Sequence, residues 1–276
     1  MDRHAASEFA QSTGGGKPDL NVMADELIGG GAMRRARGEQ DRLRLFCFPY
    51  AGSGTSIYRG WAAAIPQTIE VCPVALPGRE HRLAESPIDD IRLLAAAVGD
   101  ELGRVLEPPF ALFGHSMGAI LAFELARHLR RQERPGPRCL IVSAHRAPHL
   151  PDEQDRIHDM PTPEFLQELR QLNGTSAGVL GDRELVELLL PVLRADFKAA
   201  ETYRYVEEPP LRCPIVAYGG TNDGMISETQ LAAWGAHTDG GFAQRMFEGD
   251  HFYIQTKREE LIAQLALDLQ RLCVAG

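Results

Sequence analysis

"FALFGHSMGAILAFELA", residues 110–126, decides how the rest of the chain is read. Phe110 to Phe113 have the length and composition of a buried strand, and from Met117 onward apolar residues recur at three- and four-residue spacing, as on a helix. Between them, Gly114-His115-Ser116-Met117-Gly118 fits G-x-S-x-G, the nucleophile elbow, where a strand turns sharply into a helix with a serine at the apex. A serine in this place can also cap the helix, accepting a hydrogen bond from an early N–H worth about 1 kcal/mol. The glycines favour the elbow. A turn that strained leaves no room for Cβ atoms two residues either side of the serine, against the neighbouring strand and helix. The helix from 117 also aims its positive N-terminal end at Ser116, favouring negative charge there.

The same alternation runs along the chain from Leu43. Strands are expected at 43–48, 70–75, 110–113, 138–143, 213–218 and 243–248, and helices at 57–65, 89–106, 117–131, 226–235 and 257–273. Strands that are apolar throughout and separated by helices indicate an α/β fold, a mostly parallel sheet with helices on both faces. In such sheets the active site forms at the C-terminal ends of the strands. One segment breaks the pattern. Between the strands ending near Ser143 and starting near Cys213 there are helical stretches at 163–172 and 182–205 but no good strand. Residues 150–208 therefore read as a helical lid inserted over the strand ends. Residues 1–40, with "QSTGGGKPDL" and "LIGGGAMRRARGEQ", are rich in Gly and charge without sustained period, and read as a flexible tail before a domain spanning 41–276.

A serine hydroxyl needs a base, and the base an orienting acid. In the elbow architecture both follow the serine in the order acid, histidine. "CPIVAYGGTNDGMIS", residues 213–227, is a strand running into a loop with Asp223, and "AQRMFEGDHFYI", residues 243–254, is the next strand followed by His251. Asp250 and Asp196 are rival acids, although Asp250 adjoins His251 and reaches its far ring nitrogen poorly. Ser116, Asp223 and His251 are the expected catalytic residues. An oxyanion hole needs two backbone donors. The elbow supplies the N–H of Met117, and the Gly-rich loop "FPYAGSG", residues 48–54, supplies the other, from Ala51 or its rival Tyr50. That loop carries neither G-K-[ST] nor G-x-G-x-x-G, which weakens a phosphate-cradling reading.

Composition narrows the function further. A net charge of −9 argues against general affinity for nucleic acid or anionic membranes. The N-terminus has no apolar h-region and no stretch is long enough to span a bilayer, so a soluble cytoplasmic protein is expected. Cys47, Cys72, Cys139, Cys213 and Cys273 form no C-x-x-C pair, and four sit in or beside apolar runs. They read as reduced, small apolar side chains rather than metal ligands, and no metal or cofactor is expected. The basic stretch "ARHLRRQERPGPR", residues 126–138, lies at the far end of the helix that starts at Ser116, roughly 15–20 Å away. It reads as structural rather than as a docking patch.

From about Arg44 to Leu272 the chain resembles the type II, external thioesterases that accompany modular polyketide and nonribosomal peptide synthases. "FCFPYAGSG" (46–54), "LPGREHR" (76–82), "FGHSMGAILAFELA" (113–126), "LPVLRADFKAAETYRY" (190–205) and "GDHFYI" (249–254) resemble that family's blocks in the family's order. The block at 190–205 falls in the expected lid, which a generic esterase would not share. The resemblance implies an α/β-hydrolase fold with Ser116 as nucleophile, His251 as base, Asp223 as orienting acid, and the amides of Ala51 and Met117 as oxyanion donors. It also implies an acyl thioester on the phosphopantetheine arm of an acyl or peptidyl carrier protein as substrate, hydrolysed through an acyl-Ser116 intermediate. Two departures stand out. Ser53 occupies a place where the family often has a third glycine, and Gly224 follows the acid where proline is common. The alternatives are a carboxylesterase or lipase-like hydrolase of oxygen esters, which would share the triad, and a non-catalytic binding protein, which would lack a triad member.

Overall fold

A computed structural model describes residues 42–274. The tail expected at residues 1–40, with Arg34, Arg35 and Arg37, lies outside the described residues. Six parallel strands, β1 (Leu43–Phe48), β2 (Ile69–Pro73), β3 (Phe110–His115), β4 (Leu140–Ser143), β5 (Ile215–Gly220) and β6 (Phe242–Phe247), form one sheet in the order β2-β1-β3-β4-β5-β6. The reversal of strand order beside β1 opens the crevice that such sheets use for ligands. β3, the strand of the elbow, runs through the interior between β1 and β4.

The apolar strands face two cores. Phe46, Phe48, Leu112 and Val142 meet one helical layer, made of α1 (Ile91–Leu102) and α2 (Met117–Arg131). Cys47, Phe113, Ile141 and Tyr218, at alternate positions, meet Trp61, Tyr253 and the C-terminal helix Arg258–Leu269. With both faces covered, most positions of the central strands are apolar, which is why those strands show no clear alternation. The helix expected at 57–65 is instead broken: Gly60 takes φ 81°, and only the turns Thr55–Tyr58 and Trp61–Ala64 on either side of it are helical. The one expected at 89–106 begins on the Asp90 cap, whose carboxylate accepts from the N–H groups of Arg92 and Leu93, and its α-helical part stops where Gly103 adopts φ 40°.

Between β4 and β5 lie three helices, α3 (Thr162–Leu172), α4 (Ala177–Gly181) and α5 (Arg183–Thr202). Ile157, Phe165, Leu169, Leu180 and Leu193 give them a small apolar core of their own. They are fastened to the sheet layer by polar contacts. The carboxylate of Asp196 on α5 takes a two-pronged hydrogen bond from Arg79, at 2.7 and 2.8 Å, and accepts the N–H of Gly52 at 2.7 Å. Arg79 also donates to the carbonyl of Ser53. Where the chain returns to the sheet, Glu208 receives Arg127, Arg130 and Arg131 from the end of α2. Those cations of the 126–138 stretch are thereby engaged within the fold, as a structural role requires.

The Arg79–Asp196 pair is almost wholly enclosed, with side chains 6% and 1% exposed. Removing one partner strands the other in low dielectric. Asp196→Ala is expected to cost about 3–5 kcal/mol of unfolding free energy, measured by urea denaturation. A loss below about 1 kcal/mol would show that this clamp does not hold the helical segment in place.

Candidate active site

Ser116 sits at φ 53°, ψ −119°, a backbone conformation that non-glycine residues seldom hold. Its N–H is anchored to the carbonyl of Ser143 on β4 at 2.8 Å. A Cβ built on Gly114 would stand 1.9 Å from the carbonyl oxygen of Gly118, and one on Gly118 would stand 2.1 Å from the carbonyl oxygen of Phe48. Both glycines are therefore demanded by close backbone approach, one to the helix and one to the end of β1. The side chain of Ser116 makes no capping bond to α2. Its Oγ lies 3.0 Å from Nε2 of His251 instead.

His251 follows β6, and its Nδ1 lies 2.9 Å from Oδ2 of Asp223, which follows β5. A carboxylate only accepts, so Nδ1 carries the proton and Nε2 is left as a lone pair facing the serine hydroxyl. The Asp223 side chain is fully buried, and its other oxygen, Oδ1, accepts the N–H groups of Met225 and Ile226 at 2.8 and 3.1 Å. The "NDG" segment is thus a turn and an orienting device together. Its carboxylate ties down the loop that Gly224 leaves without a proline. The other departure, Ser53, closes its own turn by donating Oγ–H to the carbonyl of Tyr50 at 2.7 Å. Of the rival acids, Asp250 accepts the N–H of Phe252, and Asp196 is consumed by Arg79 and Gly52.

Ser116 and His251 open on a cavity of about 480 Å3 that Ala51 and Met117 also line. Met117 is the first residue of α2, so its N–H has no acceptor within the helix. Ala51 precedes Gly52, and the Asp196 bond to Gly52 fixes the loop that carries the Ala51 amide. The helical segment walls the far side with Leu169, Phe197 and Glu201. Tyr50 latches the two halves together, with its hydroxyl donating to the carbonyl of Gly174 at 3.3 Å and accepting from Gln255 at 2.7 Å. No motif marks these contacts, since the Arg79–Asp196 and Tyr50–Gly174 partners are distant in sequence. Among the described residues no group of three or more His, Cys, Asp or Glu side chains is placed to hold a metal ion.

Behind His251 lies a second histidine. His115 is enclosed, with Nδ1 2.8 Å from Oγ of Ser143, which in turn lies 2.5 Å from the hydroxyl of Tyr253. Its ring centroid is 5.5 Å from that of His251. Burial holds the His115 pKa well below the ordinary histidine value, so the ring places no positive charge against His251. Burial likewise pushes His145 down from 6.5 to about 3.

Two consequences can be measured. Gly114→Ala forces a carbon into the α2 backbone, so it is expected to lose at least about 1–3 kcal/mol of stability in urea denaturation. A variant as stable as the wild type would contradict the steric account of the elbow. The neutral histidines fix a pH dependence. Their folded pKa values lie below the unfolded one, so the unfolded chain takes up protons first as pH falls. The stability they sustain is complete above about pH 6.5 and is lost progressively toward pH 3, with His145 alone costing about 2 kcal/mol at pH 5. A urea midpoint that does not fall between pH 7.5 and pH 5 would contradict the burial of these rings.

Comparison with known proteins identifies the family. The thioesterase domain family matches residues 43–268. The gramicidin S biosynthesis protein GrsT of Aneurinibacillus migulanus is 42% identical over 229 residues, which cover 83% of this chain and 90% of GrsT. The solved structure of RedJ, a thioesterase from the prodiginine biosynthetic pathway of Streptomyces coelicolor, superposes with a TM-score of 0.77 at 42% identity, covering 82% of this chain and 86% of RedJ. BorB, the type II thioesterase of the borrelidin biosynthetic cluster, superposes at 0.76 with 41% identity, covering 83% of this chain and 94% of BorB. The chain belongs to the thioesterase family, a hydrolase of thioesters on the α/β-hydrolase fold whose relatives include type II thioesterases of biosynthetic clusters.

Proposed function

We propose that this thioesterase frees acyl groups from the phosphopantetheine arm of an acyl or peptidyl carrier protein, clearing or releasing chains in polyketide or nonribosomal peptide assembly. The observation that carries this reading is the hydrogen-bonded series Ser116, His251, Asp223 on the floor of a cavity of about 480 Å3 roofed by the helical segment. That volume suits a small ligand bound largely out of water. Residues 150–208 serve as its lid, within a single hydrolase domain of residues 41–276. No helix among the described residues is long and apolar enough to cross a membrane, and the proposed site of action is the cytoplasm.

The chemistry follows from the residues. Ser116 Oγ attacks the thioester carbonyl carbon while His251 Nε2 takes the hydroxyl proton. The carbonyl oxygen becomes an oxyanion, held by the N–H groups of Met117 and Ala51. The C–S bond then breaks and the pantetheine sulfur departs as a thiol with the proton from His251, leaving acyl-Ser116. Water, deprotonated by the same nitrogen, attacks that ester, and the acid leaves as Ser116 recovers its proton. Asp223 keeps Nδ1 protonated and steadies the imidazolium formed in each half. The neutral His115 packed against His251 adds no charge to oppose it. A thiol is a good leaving group, so neither a metal nor a cofactor is needed.

The test is release of free acid from acyl-loaded carrier protein, with a matched p-nitrophenyl ester alongside. Wild type is expected to turn over the carrier thioester faster. Ser116→Ala is expected to lose about 10³-fold or more, and Asp223→Asn about 10³–10⁴-fold by upsetting the histidine tautomer. Turnover of the oxygen ester alone would keep the triad and overturn the carrier-protein reading. Full activity in Ser116→Ala would overturn the mechanism.

A further inference from the structure

The cavity holds one more histidine that the mechanism does not use. His145 follows β4 and lines the same cavity as Ser116. The chain reaches it through Ala144, which adopts φ 50°, a left-handed conformation that costs an alanine of order 1–3 kcal/mol. Strain of that kind persists only where the surroundings enforce it, and here they do. The indole of Trp234 donates to the carbonyl of His145 at 2.7 Å, and Arg146 is paired with Asp152 at 2.9 Å. The His145 carbonyl and the Arg146 side chain are thus held, and the imidazole is oriented by its own bond to the Arg146 carbonyl.

That orientation settles the tautomer. Nδ1 lies 2.7 Å from the carbonyl oxygen of Arg146, which can only accept, so Nδ1 carries the hydrogen. A neutral ring then presents Nε2 as a bare acceptor, and burial keeps the ring neutral at physiological pH. Among the described residues no group bonds this nitrogen. Unlike Nε2 of His115, it is not a buried atom left without a partner, and His145 lines the cavity. Much of the surrounding wall is apolar, with Ile157, Leu169, Phe197, Met225 and Ile226. The carboxylate of Glu201 on that wall is already occupied by the N–H groups of Ile157 and His158 and by the His158 ring. A lone pair in such a wall favours a ligand that brings a donor, because a ligand without one displaces water and leaves the acceptor unpaired.

We infer that His145 is a specificity-determining residue that accepts a hydrogen bond from a hydroxyl or amino group on the acyl chain, so that donor-bearing acyl thioesters are preferred over plain alkanoyl ones. The inference rests on the carrier-thioesterase reading of the cavity. Its test compares kcat/KM for one carrier protein loaded with butyryl, 3-hydroxybutyryl or 3-aminobutyryl groups, in wild type and in His145→Asn. The asparagine amide can still donate to the carbonyl of Arg146 but is too short to present an acceptor to the cavity. Wild type is expected to favour at least one donor-bearing chain by about tenfold, the worth of one buried hydrogen bond, and the two arms show whether hydroxyl or amine is the better donor. In His145→Asn that ratio is expected to fall to within about twofold of one. Equal wild-type rates for all three chains would overturn the inference even if the variant did not fold, and would leave Ser116-dependent turnover standing. An equal loss on every chain in the variant would also overturn it, by showing that the ring serves the shared pantetheine arm or the fold. No turnover of any carrier thioester would remove the reading on which it rests.

Discussion

Among the described residues, the closest constraint is the approach of backbone to backbone at the elbow. Gly118 must come so near the carbonyl of Phe48, and Gly114 so near that of Gly118, that neither tolerates a single added carbon. This contact brings the end of β3, the start of α2 and the loop after β1 to one point. Ser116 is held there at φ 53° with its hydroxyl clear of the helix, and Met117 and Ala51 line the same cavity. Everything else at the site is arranged around that fixed position. β5 and β6 bring Asp223 and His251 to it from the same end of the sheet, since parallel strands deliver all their C-terminal loops to one side.

The helical segment depends on the same loop. Asp196 reaches from α5 to Gly52, next to Ala51, and its bond to Arg79 extends the hold to Ser53. An oxyanion donor needs a fixed position, because its value lies in being oriented before charge develops. The contact that secures the roof of the cavity thus also restrains the loop carrying one proposed donor. The roof of the cavity and the loop that carries the proposed donor are joined through one enclosed ion pair.

Much of this was legible in the sequence because the elements are short, apolar and punctuated. The elbow pattern, the strand-loop settings of Asp223 and His251, and the two-helix character of the insertion follow from local spacing alone. Helix limits were less legible. Gly60 and Gly103 adopt positive φ and cut helices that periodicity extends through, and the single turn of α4 is too short to show a period. The fastenings were not legible at all. Arg79 and Asp196 are 117 positions apart, and Tyr50 and Gly174 are 124 apart, so only folding brings them together. Asp196 illustrates the difficulty: from sequence it competes with Asp223 as the acid, and only its enclosure by Arg79 and Gly52 removes it. His145 likewise looks like any loop histidine until its Nδ1 is found on the Arg146 carbonyl.

The most direct test of the central claim is to look for the covalent intermediate. Acyl-loaded carrier protein would be mixed with the enzyme, quenched within milliseconds to seconds, and digested for mass analysis of the peptide containing residues 110–126. A single acyl adduct on Ser116 is expected, appearing before free acid and absent from Ser116→Ala. Turnover without any adduct, or an adduct on another residue, would contradict it.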